Sequence, residues 1–261
     1  MALLRVDKVT KRFGGLEALR EVSFAVYQGQ IKALIGPNGA GKTTLFNLVS
    51  GYLLPTSGRV YFSGRDVTGY PPHRMCGLGV GRTFQHSLIF EDMSVLDNVA
   101  VGRYSRTRAG LLAAFFALPV HRREERETIK AAEEALRRVG LEQRACDRAG
   151  TLPMGERHLL EIARALASEP QLLLLDEPAA GLNEAETACL AEVVRRLRAD
   201  GVTVLVVEHD MTFVMDLSDE VVVLDYGRKI AEGPPFMIQE NEEVIKAYLG
   251  EELEDETSVE S

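Results

Sequence analysis

The stretch that most constrains this chain is Gly36-Pro37-Asn38-Gly39-Ala40-Gly41-Lys42-Thr43-Thr44, set between the apolar run Ile31, Ala33, Leu34, Ile35 and the apolar positions Leu45, Phe46, Leu48 and Val49. The order predicts a strand, a glycine-rich loop and a helix. Its spacing fits G-x-x-x-x-G-K-[ST], in which glycines let backbone N–H groups close around phosphates and the following helix offers its positive end to the same anion. Lys42 is then expected to reach the β- and γ-phosphates, and Thr43 to place its hydroxyl on Mg²⁺. A nucleoside triphosphate is the ligand this pattern implies.

The chain has 261 residues, 46% of them hydrophobic, enough to bury one large core with or without a subdomain. Its 30 basic and 39 acidic side chains leave a net charge of −9, which argues against a nucleic-acid binder working through a broadly basic surface. Cys76, Cys146 and Cys189 lie far apart without C-x-x-C spacing, so reduced cytosolic thiols are expected rather than a disulfide framework or a zinc site. Met1 to Val9 alternates as a strand does and lacks the apolar core of a signal peptide. The longest apolar stretch, Ala109 to Val120, falls short of the roughly 20 residues needed to span a bilayer. A chain that docks on a membrane rather than crossing it is compatible with all of this.

Along the chain, Leu4, Val6 and Val9, then Val22, Phe24 and Val26, alternate with other residues as two antiparallel strands joined by the turn Phe13-Gly14-Gly15. Phe13 reads either as an aromatic that stacks on a base or as cover for the sheet edge. Arg59 to Phe62 is a further short strand, and Gly77 to Phe84 leads to Gln85. From Glu91 to about Ala149 the texture is that of charged helix: Ser94 is an N-cap before Val95, Leu96, Val99 and Ala100, and Ile129, Ala132, Leu136 and Val139 form one face of Glu124 to Val139. The pair Phe115-Phe116 reads as core or as a patch that receives a partner.

A helix through Glu161 to Leu166 leads to Leu172-Leu173-Leu174-Leu175-Asp176-Glu177-Pro178. An all-apolar strand belongs in a parallel sheet buried on both faces, and acids at its C-terminal end lie where such sheets bind ligands, so Asp176 suits a Walker-B carboxylate that holds Mg²⁺. Glu184 to Asp200 is the next helix, Val202 to Val207 a second buried strand, and Glu208-His209-Asp210 its end, where His209 reads either as a structural histidine or as one that touches phosphate. Val221 to Leu224 and Lys229 to Ala231 form a hairpin about Asp225-Tyr226-Gly227-Arg228, helix Pro235 to Leu249 closes the fold, and 251–261 is an acidic, disordered tail.

With these elements in this order the chain resembles the ATP-binding subunits of ABC transporters over nearly its whole length. The residues that carry the resemblance are Gly36 to Thr44, Gln85 within Gly81-Arg82-Thr83-Phe84-Gln85, Leu152 to Glu156, Leu172 to Pro178, Ala180-Gly181-Leu182-Asn183 and His209. Pro178 to Asn183, Glu208 to Met211, Leu224 to Gly227, Ala247 to Gly250 and the insert around Arg106 to Arg123 are similar to the branched-chain amino acid importer type. The resemblance implies an α/β fold: a P-loop NTPase (RecA-like) core with an antiparallel β subdomain and an inserted α-helical subdomain. It implies one ABC ATPase domain over 1–250, with 1–90 and 156–250 as the core and 91–155 as the helical subdomain.

By the same resemblance the chain hydrolyses ATP with Mg²⁺ to energise import of branched-chain amino acids. Phe13 stacks on adenine, Gly36 to Thr44 hold the phosphates, Thr43, Gln85 and Asp176 serve the metal, Gln85 senses the attacking water, Glu177 is general base or water-positioner, and His209 holds the γ-phosphate. Leu152, Pro153, Met154, Gly155 and Glu156 contact the nucleotide of a second ABC ATPase subunit, in a heterodimer or a homodimer. Two membrane permease subunits dock near the helical subdomain, a periplasmic or extracellular substrate-binding protein acts through them, no nucleic acid is bound, and the location is the cytoplasmic face of the inner membrane. An importer for urea or another amide, and a soluble ABC ATPase that assists assembly, are the alternatives. A GTPase is disfavoured by the lack of Asn-Lys-x-Asp.

One departure stands out. The loop usually written Leu-Ser-Gly-Gly-Gln reads Leu152-Pro153-Met154-Gly155-Glu156, and Glu156 sets a negative charge toward a polyphosphate. Unless Arg157 or Mg²⁺ offsets it, that charge is expected to weaken the site it faces.

Overall fold

The computed structural model of the chain describes residues 2–83, 89–104 and 119–248. These divide into two compact units, one of residues 1–75 with 201–261 and the other of residues 76–200.

In the first unit, Ile31–Ile35 is buried at all five positions and lies between two parallel neighbours, Thr203–Val207 and Glu220–Asp225. Strands covered on both faces have no polar alternation because neither face meets water. Lys32 is the exception within this run. It is 1% exposed, and its ammonium stands 2.8 Å from Glu220 and 2.6 Å from Glu232, so the two strands beyond it supply the counter-charge. Arg228–Gly233 pairs antiparallel with Glu220–Asp225 through a two-residue turn, Tyr226 and Gly227, both at positive φ as a type I′ hairpin requires.

A separate antiparallel sheet of this unit runs in the order Leu16–Tyr27, Ala2–Phe13, Ser57–Phe62, Arg65–Asp66. The expected buried series holds: Leu4, Val6, Val9, Val22, Phe24 and Val26 all face inward. The step from Val6 to Val9 is one residue too long for simple alternation because the register shifts there, with Lys8 at φ 47.

The C-terminal helix differs from expectation. Instead of one helix from Pro235 there are two, Pro235–Gln239 and 242–248, and Leu249 lies outside the described residues. Asn241 causes the break, since its side chain accepts from the N–H groups of Glu243 and Val244 and so starts a new helix.

In the second unit, Val80–Arg82 and Leu172–Asp176 form a parallel pair, the latter buried throughout. Helices Val95–Gly102, Pro119–Val139 and Met154–Leu166 pack on one another. Ser94 caps the first, as expected, by accepting from the N–H of Asp97. Of the face assigned to the second, Ala132, Leu136 and Val139 are buried, while Ile129 is exposed because it precedes the packed stretch by a turn. Glu184–Ala199 opens with a capping box between Asn183 and Glu186. Phe115, Phe116 and the acidic tail lie outside the described residues, and among the described residues no helix is long and apolar enough to cross a membrane.

Candidate nucleotide site

The first unit carries the glycine loop. Gly36 leaves the buried strand at φ 150, and a Cβ there would lie 2.1 Å from the carbonyl oxygen of Leu224, so only glycine allows the loop to turn at this point. Gly41 caps helix Lys42–Val49 at φ 101 with no side-chain cap and no acid in the first turn, which leaves the positive helix end to an external anion. Lys42, 8% exposed, is folded over the loop: its ammonium donates to the carbonyl oxygens of Gly36 at 2.6 Å and Pro37 at 2.9 Å. Pro37, Asn38, Gly39 and Ala40 form the turn between, closed by the N–H of Ala40 donating to Pro37. Thr43 and Thr44 follow Lys42 in the first turn of the helix.

Because Leu34 is paired in register with Val207, the loop and the segment Glu208-His209 leave the same sheet edge on adjacent strands. Glu208 is buried and accepts from the N–H of His209 at 3.2 Å, whereas the His209 side chain is 62% exposed. The parallel pairing places these groups side by side, as two buried strands ending in polar residues lead one to expect. Phe13 ends its strand 46% exposed, with the Lys11 ammonium 4.9 Å from its ring centroid.

The second unit carries the acids. Asp176 ends a buried strand, its side chain 2% exposed, and its Oδ2 accepts from Arg82 Nη2 at 3.2 Å. Burial raises its pKa above the usual carboxylate value, the Arg82 charge opposes this, and the neighbouring Glu177 adds to it. Its Oδ1 is buried with no hydrogen-bond partner among the described residues, an oxygen suited to a hard divalent cation, so the residue fits the metal role assigned to it. Glu177 follows at φ 47, a left-handed conformation rare for a residue with a side chain, which turns the chain sharply after the strand. Gln85 lies outside the described residues.

The stretch Leu152 to Glu156 runs into the first turn of helix Met154–Leu166, with Leu152 buried, Pro153 as N-cap and Met154 exposed. Met154 reaches over Gly181, and Gly155 packs against the carboxylate of Glu186, so this loop and the Ala180 to Asn183 turn support each other. The ring Nδ1 of His158 is 2.8 Å from the carbonyl oxygen of Pro178, tying the same helix to the residue after Glu177.

The expected partner of Glu156 needs correcting. Arg157 donates instead to the carbonyl oxygens of Leu152 at 2.9 Å and Gly150 at 2.7 Å, and it is Arg144 that faces the acid. Sequence reasoning missed Arg144 because it belongs to a different helical turn, Glu142–Arg144. Arg82 was missed likewise, although its place in Gly81-Arg82-Thr83, beside an acid-tipped strand, was the available signal.

The comparisons agree with this architecture. Residues 19–180 match the family model described as ABC transporter, and residues 228–254 match that of the branched-chain amino acid ATP-binding cassette transporter. The chain is 44% identical to the high-affinity branched-chain amino acid transport ATP-binding protein BraF of Pseudomonas aeruginosa, over 95% of this chain and 98% of that one. It is 42% identical, over the same shares, to the high-affinity branched-chain amino acid transport ATP-binding protein LivG of Escherichia coli. Among solved structures, the ADP conformation of an ATP-binding cassette of an ABC transporter superposes with a TM-score of 0.85 at 33% identity, covering 96% of this chain and 99% of that chain. A dimeric bacterial ABC transporter cassette matches with a TM-score of 0.74 at 25% identity, covering 89% of this chain and 98% of that chain. The α/β P-loop NTPase fold expected from the sequence is therefore the fold of this chain, which belongs to the ABC transporter ATP-binding proteins of the LivG/BraF branched-chain amino acid transport type.

Proposed function

We propose that this chain is the ATP-hydrolysing subunit of an importer for branched-chain, hydrophobic amino acids, and that it works peripherally on the cytoplasmic face of the membrane. The observation that carries the reading is Lys42, buried over a glycine loop and already aimed inward by two carbonyl bonds. The names of the BraF and LivG relatives support the substrate class. The dimeric cassette supports a second ABC ATPase subunit as partner, the same chain or a related one. Two permease subunits and an external substrate-binding protein complete the assembly, and these partners select the cargo. In this reading 1–250 is one ATPase domain, with 1–90 and 156–250 as its core and 91–155 as the helical part that meets the permeases.

Gly36 to Thr44 bind the phosphates through backbone N–H groups, the helix end and the Lys42 charge, which is catalysis by positioning and electrostatics rather than covalent chemistry. Phe13 supports the adenine. Thr43, Asp176 and Gln85 would hold Mg²⁺, which when bound would neutralise phosphate charge. Glu177 acts as general base or positions the attacking water, and His209 holds the terminal phosphate. Leu152 to Glu156 face the partner subunit's nucleotide.

The deciding experiment places Lys42→Ala in the complete transporter and measures ATP binding, ATP hydrolysis and uptake of radiolabelled leucine by proteoliposomes. All three are expected to collapse. Retained leucine uptake would sink the assignment, and loss of hydrolysis in a transporter that never carried leucine would sink only the cargo.

A further inference from the structure

The mechanism above gives no task to Arg82, a charge that is mostly shielded from solvent. Arg82 ends the strand Val80–Arg82, in register with Leu174 of the parallel strand Leu172–Asp176. Thr83 fastens the pair further along: its N–H donates to the carbonyl oxygen of Leu174 at 3.0 Å, and its hydroxyl accepts from the N–H of Asp176 at 3.3 Å. The guanidinium is therefore delivered by sheet register, not by a surface side chain that happens to lie nearby. Its side chain is 13% exposed and meets only one of the two oxygens of Asp176, Oδ2, at 3.2 Å. The other oxygen, Oδ1, is buried and has no hydrogen-bond partner among the described residues.

This division of labour within one carboxylate is unusual in energetic terms. Leaving a buried acceptor unsatisfied is costly, so an orphan oxygen in an otherwise ordered site is tolerated where something else uses it. A carboxylate with one oxygen bonded cannot rotate freely about its terminal torsion, and the unbonded oxygen is held in one direction. Ligating carboxylates are commonly oriented in this way by a hydrogen-bonding neighbour, and removing such a neighbour typically costs 10–100-fold in metal affinity.

We infer that Arg82 is a positioning residue for the divalent cation: by holding Oδ2 of Asp176 it fixes the carboxylate plane and presents Oδ1 alone to the metal. Arg82 touches neither substrate nor metal in this role. The inference rests on the reading that Asp176 serves Mg²⁺, and it adds a residue that the motif does not name.

The test uses the full chain and Mn²⁺ as the probe, with free Mn²⁺ followed by electron paramagnetic resonance in the presence of a non-hydrolysable ATP analogue. Arg82→Gln is expected to raise the Mn²⁺ dissociation constant about tenfold, while affinity for the analogue in EDTA stays as in the unaltered chain. A purely structural role for Arg82 would lower the unfolding midpoint and leave the Mn²⁺ constant where it was, and that result overturns the inference. So does tighter Mn²⁺ binding, which would make Arg82 a competitor of the metal. Should Arg82→Gln fail to fold, Arg82→Lys decides, because it keeps the charge but lacks the planar fork: a constant raised threefold or more supports the inference, and an unchanged one overturns it. Asp176→Asn is the control for the underlying reading. If it leaves Mn²⁺ binding intact, the metal role of Asp176 fails; if it abolishes binding while Arg82→Gln does not weaken it, only the role of Arg82 fails.

Discussion

Arg144 Nε stands 3.2 Å from Glu156 Oε2, and Arg144 Nη2 reaches Glu156 Oε1 at 3.4 Å, so charge more than hydrogen-bond alignment holds the pair. The Arg144 pKa is raised, first by its bond to Asp147 and then by Glu156. The acid that departs from the family loop thus brings its own counter-ion.

From this pair comes the first prediction. In the complete transporter, Arg144→Ala should lower ATP turnover about twofold to fivefold at low ionic strength, the scale of a partly exposed ion pair, and less in high salt. Glu156→Gln alone should be neutral or mildly activating, and combined with Arg144→Ala it should restore turnover. Steady-state ATPase assays of the four variants across a salt series would check this. A double variant as slow as Arg144→Ala would mean that Arg144 acts on something other than Glu156.

The second concerns Glu177. As the base or water-positioner it should be worth about 10²–10⁴ in turnover, so Glu177→Gln is expected to lose that much kcat while still binding ATP. Glu177→Gly, which relaxes the φ of 47, should be as inactive but more stable. Rapid-quench measurement of a single turnover, with equilibrium unfolding alongside, separates chemistry from backbone strain.

A third follows from Lys32. Lys32→Met leaves Glu220 without its cation and Glu232 with Lys229 alone, and should cost about 3 kcal/mol, the low end for a broken buried pair because both carboxylates still reach water. The Glu220 pKa lies below its ordinary value, chiefly through its hydrogen bond to Lys32. A carboxyl depressed in the folded state contributes its stability fully above the unfolded value, and that contribution fades as the pH falls through the folded one. Urea midpoints measured from pH 7 down to pH 3.5 should therefore drop more steeply below about pH 4.5 in the unaltered chain than in Lys32→Met. Parallel curves would show that the pair carries no linked proton.

The fourth contrasts two glycines. Gly36→Ala drives a methyl group into the carbonyl of Leu224 and should abolish ATP binding, whereas Gly15→Ala, with open space around its Cβ, should leave affinity within about twofold. Fluorescent-nucleotide titrations of the two purified variants would distinguish the positions.

The sequence was most legible where one element obeys one rule. The glycine loop, the acid-tipped apolar strand, the Ser94 cap and the hairpin at Tyr226-Gly227 each announce themselves within a few neighbouring residues, and each stands as expected. What stayed hidden depended on pairing across the chain. Lys32 interrupts an apolar run, and nothing local says that Glu220 and Glu232 will meet it. Arg82 and Asp176 are brought together by strand register, and Arg144 and Glu156 by helix packing. The break at Asn241 was missed for the opposite reason: a purely local capping bond overrode a helical pattern long enough to look continuous.

The hairpin turn at Tyr226-Gly227 is a tempting place to graft a tag or a fluorophore, since Tyr226 is 72% exposed. Yet the N–H of Gly227 donates to the carbonyl oxygen of Ala40 inside the phosphate loop, and its own carbonyl accepts from Arg20. An insertion there would pull on the cradle from behind, so the bend doubles as its rear wall, and engineering of this molecule is better directed elsewhere.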